Sequence, residues 1–156
     1  MLHDQPWSTS SRKPSSCSSR SRTGSSNTRY AGGLALAVHG VIRATTDIDL
    51  LVDKSGVAAI EAVAKSLGFI FPAAPMGFED GVELHRLSKN VDGQVVTLDL
   101  LVTSAAYRTV WDSRVRVAFR ESTISVVSRE GLIEMKLAAA RPQDLMDVQN
   151  LREGDR

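Results

Sequence analysis

The chain has 156 residues, 42% of them apolar and 24% charged, with a formal net charge of +1, which suits one soluble domain and offers no charge-based case for a nucleic-acid or membrane partner. No apolar run reaches the roughly 18 residues that a membrane-spanning helix needs. The single cysteine, Cys17, excludes an internal disulfide, and no Cys/His cluster has zinc-ligand spacing; a reducing, cytoplasmic setting is the natural expectation.

In chain order, the first segment stands apart. Residues 1–30 hold five basic side chains against Asp4 alone, ten serines, and only Leu2 among Leu, Ile, Val and Phe. Such a composition cannot bury enough apolar surface to offset its ordering entropy. Residues 1–29 therefore read as a disordered Ser/Arg-rich head, and 30–153 as the folded domain, with an overall acidic excess. An organellar transit peptide has a similar composition, but no amphipathic helical pattern accompanies it here.

From residue 30 the pattern changes. Residues 32–40 read as a short helix opened by Gly32-Gly33 and stopped by Gly40, and 46–53 as a mostly apolar strand. A helix capped by Ser55 runs to about residue 67, with Val57, Ile60, Val63, Ala64 and Leu67 at helical spacing. Residues 69–81, rich in Gly and Pro, read as a loop. Strands follow at 82–87 and 95–102, the second entered through the hairpin signal Asp92-Gly93. After a short helix at 104–110 come strands at 114–119 and 123–127. Ser128 caps a helix to about residue 140, Arg141-Pro142 breaks it, and Pro142 opens a last helix with Leu145, Val148 and Leu151 as its core side. The sum is an α+β domain: a small mixed β-sheet flanked by helices.

Chemistry concentrates in three aspartates. Asp47 and Asp49 lie in Asp47-Ile48-Asp49-Leu50-Leu51-Val52, so their side chains share one face of the strand while Ile48 and Leu50 take the other. Asp99 recurs in a matching frame, Thr97-Leu98-Asp99-Leu100-Leu101-Val102. Paired carboxylates repel unless a cation lies between them, and a third on a neighbouring strand would complete an oxygen-rich pocket suited to Mg²⁺ and substrate phosphates. A lone Asp-x-Asp is often merely solvated, and a lone Gly-Gly is often merely a turn. The combination is narrower: a glycine pair that lets backbone approach a phosphate, thirteen residues, the Asp pair, then a strand-borne Asp fifty residues on.

That pattern resembles the polymerase-β-type nucleotidyltransferase superfamily over roughly residues 30–152. It is carried by Gly32-Gly33-Leu34-Ala35-Leu36-Ala37-Val38-His39-Gly40, Arg43, and Thr46 to Val52. The long gap between glycines and Asp pair, and the C-terminal run Lys136…Arg141-x-x-Asp144-x-x-Asp147, are similar to the AbiEii-type toxin branch. The resemblance implies a nucleotidyltransferase fold and an enzyme that moves a nucleoside monophosphate from an NTP to a hydroxyl of RNA, a protein or a small molecule. In the toxin branch the acceptor can be the 3′ end of tRNA, and an antitoxin is an implied partner. It also implies that Asp47 and Asp49 bind two Mg²⁺ ions and that Asp99 ligates the ion activating the attacking hydroxyl, or acts as its base. Gly32 and Gly33 would hold the triphosphate, Lys136 would contact phosphate as a compact charge, and Asp144 would serve positionally.

Two features depart from the family pattern. An amphipathic helix and a full strand normally precede the glycines, whereas only Tyr30-Ala31 remains of that strand here, so residues 1–29 read as a foreign or out-of-frame segment in its place. The chain is also shorter than full toxins. An inactive binding or regulatory domain is therefore an alternative, and a metal-dependent nuclease a further one. Around the site, His39 reads as structural, Arg43 as either phosphate-steering or solvated, and Asp53 as a solvated or capping residue. Asp147 reads as a partner of a neighbouring Lys or Arg, and His85 has no evident partner.

Overall fold

The computed structural model describes residues 28–154. The expected head therefore lies outside the described residues as far as residue 27. Eight strands form one mixed sheet: β1 (Thr28–Tyr30), β2 (Asp47–Val52), β3 (Phe71–Pro72), β4 (Met76–Gly77), β5 (Glu83–Val91), β6 (Gln94–Val102), β7 (Arg114–Phe119) and β8 (Ser122–Val127). Their order is β3-β5-β6-β2-β1-β8-β7, with β4 also on β5. The pairs β2–β6 and β1–β8 are parallel and the others antiparallel. Five helices complete the domain: α1 (Gly32–Val38), α2 (Val57–Ser66), α3 (Arg108–Asp112), α4 (Arg129–Ala139) and α5 (Pro142–Glu153).

Strand alternation divides the core in two. On β2, Leu51 joins Ala35 and Leu36 of α1, Val110 of α3, Leu132 of α4 and Leu151 of α5. Its neighbour Val52 points the other way, joining Val57 and Ala64 of α2 with Leu98, Leu100 and Val102 of β6. Because residues two apart share a face, Asp47 and Asp49 lie on the Leu51 side, at the open end of the α1/α4/α5 layer. Asp99, between Leu98 and Leu100, lies on that side too.

Several local readings change. A strand does precede the glycines: β1 begins at Thr28 and is inserted between β2 and β8, with Arg29 only 3% exposed. Residues 28 and 29, assigned from the sequence to the head, are thus part of the described strand. Arg29 hides the strand in the sequence because a buried arginine breaks the apolar pattern; its guanidinium is held over the Trp111 ring, 4.1 Å from the centroid. The supposed loop at 69–81 adds the two-residue strands β3 and β4 to β5. β5 itself continues to Val91, so the Asp92-Gly93 turn joins two nine-residue strands. Both turn residues have positive φ, 51° and 84°, as a two-residue type I′ hairpin requires.

Capping also differs at α2. Ser55 does not cap it; Gly56 stands at its N-cap without a side-chain bond, and Asp53 caps the 3₁₀ turn Lys54–Gly56 just ahead, its carboxylate accepting from the Ser55 backbone N–H at 3.0 Å and hydroxyl at 2.6 Å. Ser128 does cap α4, its hydroxyl accepting from Gly131 N–H, and Pro142 fills the first turn of α5. Leu145 is about half exposed, whereas Val148 and Leu151 are core.

Candidate active site

β2 and β6 run parallel in a register that sets Asp49 directly beside Asp99 and Asp47 beside Thr97. The carboxylates of Asp47, Asp49 and Asp99 line a cavity of about 780 Å³ with Gly32, Arg43, Lys136 and Asp144. Seven of the eight site residues expected from sequence therefore meet in one place. Gly33 is the eighth. It is buried under the connector, where an added Cβ would stand 2.5 Å from the Thr45 methyl.

Gly32 is required for a different reason than phosphate approach alone. Its φ of +52° disfavours any side chain, and a Cβ there would lie 1.8 Å from Oδ2 of Asp49. The missing side chain makes room for the carboxylate. Ala31 N–H donates to the Asp49 carbonyl at 2.9 Å, tying the entrance of α1 to the same residue. Thr45 fixes the other acid: its hydroxyl accepts from Asp47 N–H at 3.1 Å.

The three acids differ in their surroundings. The Asp49 carboxylate makes no hydrogen bond or ion pair among the described residues. Burial, with the charges of Asp99 and Asp47, pushes its carboxyl above the ordinary range, and Lys136 and Arg141 only partly offset this. Asp99 already has a counter-ion. Arg86, opposite it across β5–β6, donates from Nε to Oδ1 at 2.8 Å and from a terminal guanidinium nitrogen to Oδ2 at 2.7 Å.

Behind the acids lies a second charged group. Lys136 Nζ is buried between Asp144 at 3.1 Å and Asp147 at 2.7 Å. Arg43 reaches Asp147 at 3.4 Å, and Arg141 holds Asp144 at 2.6 Å. Burial alone would raise the Asp144 carboxyl, but hydrogen bonds from Arg141 and Lys136 outweigh it and hold it low. Lys136 thus sits in the cavity wall as the counter-ion of two buried acids. Arg141, with most of its side chain in solvent, lies like Arg86 in the fields of Asp49 and Asp99. His39 is structural, its Nε2 2.8 Å from the Val127 carbonyl.

No family model matches the chain, and no curated protein does. Among solved structures, the crystal structure of a "putative nucleotidyltransferase" from Thermotoga maritima matches it with a TM-score of 0.54 and 18% identity, covering 83% of each chain. The chain has a nucleotidyltransferase fold.

On this nucleotidyltransferase fold the acids can be tested against a divalent metal. Among the described residues no three His, Cys, Asp or Glu side chains form a cage on their own. Mg²⁺ does not need one, since it is commonly held by one or two carboxylates together with substrate phosphates. Asp47 and Asp49 supply hard oxygen donors on one face, and the half-buried Asp49 carboxylate, without a counter-ion in contact, is the group whose charge a cation would relieve. The cavity lining carries six carboxylates against four cations, a balance that favours a cation over a free anion. The donor set fits.

Three site residues escaped the sequence reading: Arg86, Arg141 and Thr45. A signal existed for Arg86. Counting back from the two-residue Asp92-Gly93 turn, Val91 faces Gln94 and each further step lands one residue out on both strands, so Arg86 must face Asp99.

Proposed function

We propose that the chain is a nucleotidyltransferase that moves a nucleoside monophosphate from an NTP to an acceptor hydroxyl. The observation that carries this reading is the in-register pair Asp49–Asp99 with Asp47 on the same face, roofed by Gly32 at the start of α1. Asp47 and Asp49 would hold the divalent ions, with Asp99 as the third carboxylate. Bound there, the ions would neutralise phosphate charge and ease ionisation of the attacking hydroxyl. The acceptor oxygen forms a bond to the α-phosphorus, the bond from that phosphorus to the bridging oxygen of the β-phosphate breaks, and pyrophosphate leaves. The hydroxyl proton passes to Asp99 or to solvent.

The protein's own contribution is placement and fixed charge. Strand register sets the carboxylate spacing, Thr45 and Gly32 fix Asp47 and Asp49, and the buried Lys136 network holds α4 and α5 as the cavity wall. Arg43 and Arg141, which line the cavity with Gly32, would be the cations that meet phosphate oxygens. The Lys136…Asp147 run folds into one ion network, which supports a relationship with the AbiEii-like toxin branch and, with it, an antitoxin partner. The acidic balance of the folded part supplies no general attraction for RNA, so a protein or small-molecule acceptor fits as well as a tRNA end.

One observation favours a second reading, a binding or regulatory domain without turnover: both oxygens of Asp99 are engaged by Arg86. A transfer assay with each α-labelled NTP, Mg²⁺ and a cell extract as acceptor source separates the two. Turnover abolished by Asp49→Asn with the fold intact is the expected result. Turnover undiminished in that variant would overturn the assignment, and a folded wild type that binds NTP without transferring label would favour the second reading.

A further inference from the structure

The bidentate contact between Arg86 and Asp99 places a cation of the protein on the oxygens that a metal ion would need. Asp99 is 8% exposed and flanked by Asp49 in the adjacent strand. The fork of a guanidinium matches a carboxylate at both oxygens, and such charge-assisted pairs are among the stronger hydrogen bonds. Arg86, by contrast, keeps 43% of its side-chain surface in solvent and lines the cavity mouth. One partner is enclosed in the sheet and the other reaches solvent. Asp49 has the opposite character, with no partner of its own.

We infer that Arg86 is a built-in counter-ion that competes with the divalent metal for Asp99, so that full metal loading requires Arg86 to leave. Released, its guanidinium stays within the cavity, where the phosphates of an incoming nucleotide offer it an alternative bidentate anion. Arg86 is thus a positioning residue that links metal affinity to nucleotide occupancy. Without nucleotide, Asp47 and Asp49 hold a cation weakly and Asp99 stays closed. This inference rests on the nucleotidyltransferase reading of the three acids.

A second role for Arg86, as a simple cross-strand tie, makes the opposite forecast for metal. If it only braces β5 against β6, removing it loosens Asp99 and weakens any metal site. If it competes, removing it strengthens metal binding, because the cation then has no rival.

The test is Mn²⁺ binding, without nucleotide, followed by electron paramagnetic resonance on the full chain. Wild type, Arg86→Gln, Arg86→Lys and Asp49→Asn are compared. Competition predicts that Arg86→Gln binds Mn²⁺ at least about tenfold more tightly than wild type. Arg86→Lys, which keeps the charge but loses the fork, should fall between them. Thermal melts guard against a folding artefact: Mn²⁺ should raise the midpoint of Arg86→Gln more than that of wild type. Equal or weaker Mn²⁺ binding by Arg86→Gln overturns the inference. If wild type then still binds Mn²⁺ and Asp49→Asn does not, the metal reading survives alone. Absence of Mn²⁺ binding from every variant overturns both.

Discussion

Asp49 and Gly32 are a single unit at the residue scale. The carboxylate occupies the volume that any side chain at position 32 would take, and the left-handed backbone of Gly32 independently disfavours such a side chain. Gly32→Ala should therefore cost about 1–3 kcal/mol of stability and displace Asp49, abolishing divalent-metal binding. Gly40→Ala is the control. Gly40 also has a positive φ, 90°, but nothing lies within 4 Å of its added Cβ, so only the backbone strain is introduced and metal binding should persist. Thermal melts and Mn²⁺ titrations of the two variants check both statements; a Gly32→Ala protein that binds Mn²⁺ like wild type would contradict the packing argument.

Between elements, buried charge holds α4 to α5. Lys136, Asp144 and Asp147 are each less than a tenth exposed, and the amine is shared between the two acids. Removing it leaves two carboxylates without their central cation, a change that typically costs about 3–5 kcal/mol. Lys136→Met keeps the chain length, so its destabilisation measures the lost charge and not a cavity. A chemical-denaturation midpoint close to wild type would show that Arg43 and Arg141 carry the network without it.

The other helical layer is tied down by a histidine. His85 on β5 faces Glu61 of α2 at 3.0 Å through Nδ1 and Glu83 at 2.7 Å through Nε2. Burial alone would lower its pKa, but the hydrogen bonds to Glu61 and Glu83 outweigh that and raise it. A raised folded pKa means the stabilisation is fully present below the ordinary histidine value of 6.5 and is lost as pH climbs through the higher folded value. His85→Gln should therefore destabilise the protein by about 0.5–1 kcal/mol near pH 6 and by much less near pH 9. Denaturation midpoints at the two pH values report the difference; equal losses would mean that the imidazolium plays no part.

At the scale of the whole molecule, the sheet is what converts a sequence motif into a site. Asp47-Ile48-Asp49 and Asp99 were legible because Asp49 and Asp99 each precede a strong apolar run at matching positions, and that match is the parallel register of β2 with β6. Most helices were legible too, since their caps are local: Ser128 for α4 and Pro142 for α5. β1 was not, because three residues containing a buried arginine carry no alternating pattern, and its stabilisation comes from strands distant in the sequence. The roles of Lys136 and Arg86 were hidden for a related reason. A basic residue in a helix or strand looks the same whether it faces substrate or a partner carboxylate, and only the tertiary placement of Asp144, Asp147 and Asp99 decides.

On the proposed reading, the aspartate trio and the cavity around it form a metal-dependent nucleotide site. Calorimetric titration of each NTP, with and without Mg²⁺, into wild type and Asp49→Asn is the decisive experiment. Binding of at least one NTP that requires Mg²⁺ and disappears in a folded Asp49→Asn protein is the predicted result. NTP binding that ignores both Mg²⁺ and the Asp49 substitution, or no NTP binding to a folded wild type, would contradict it.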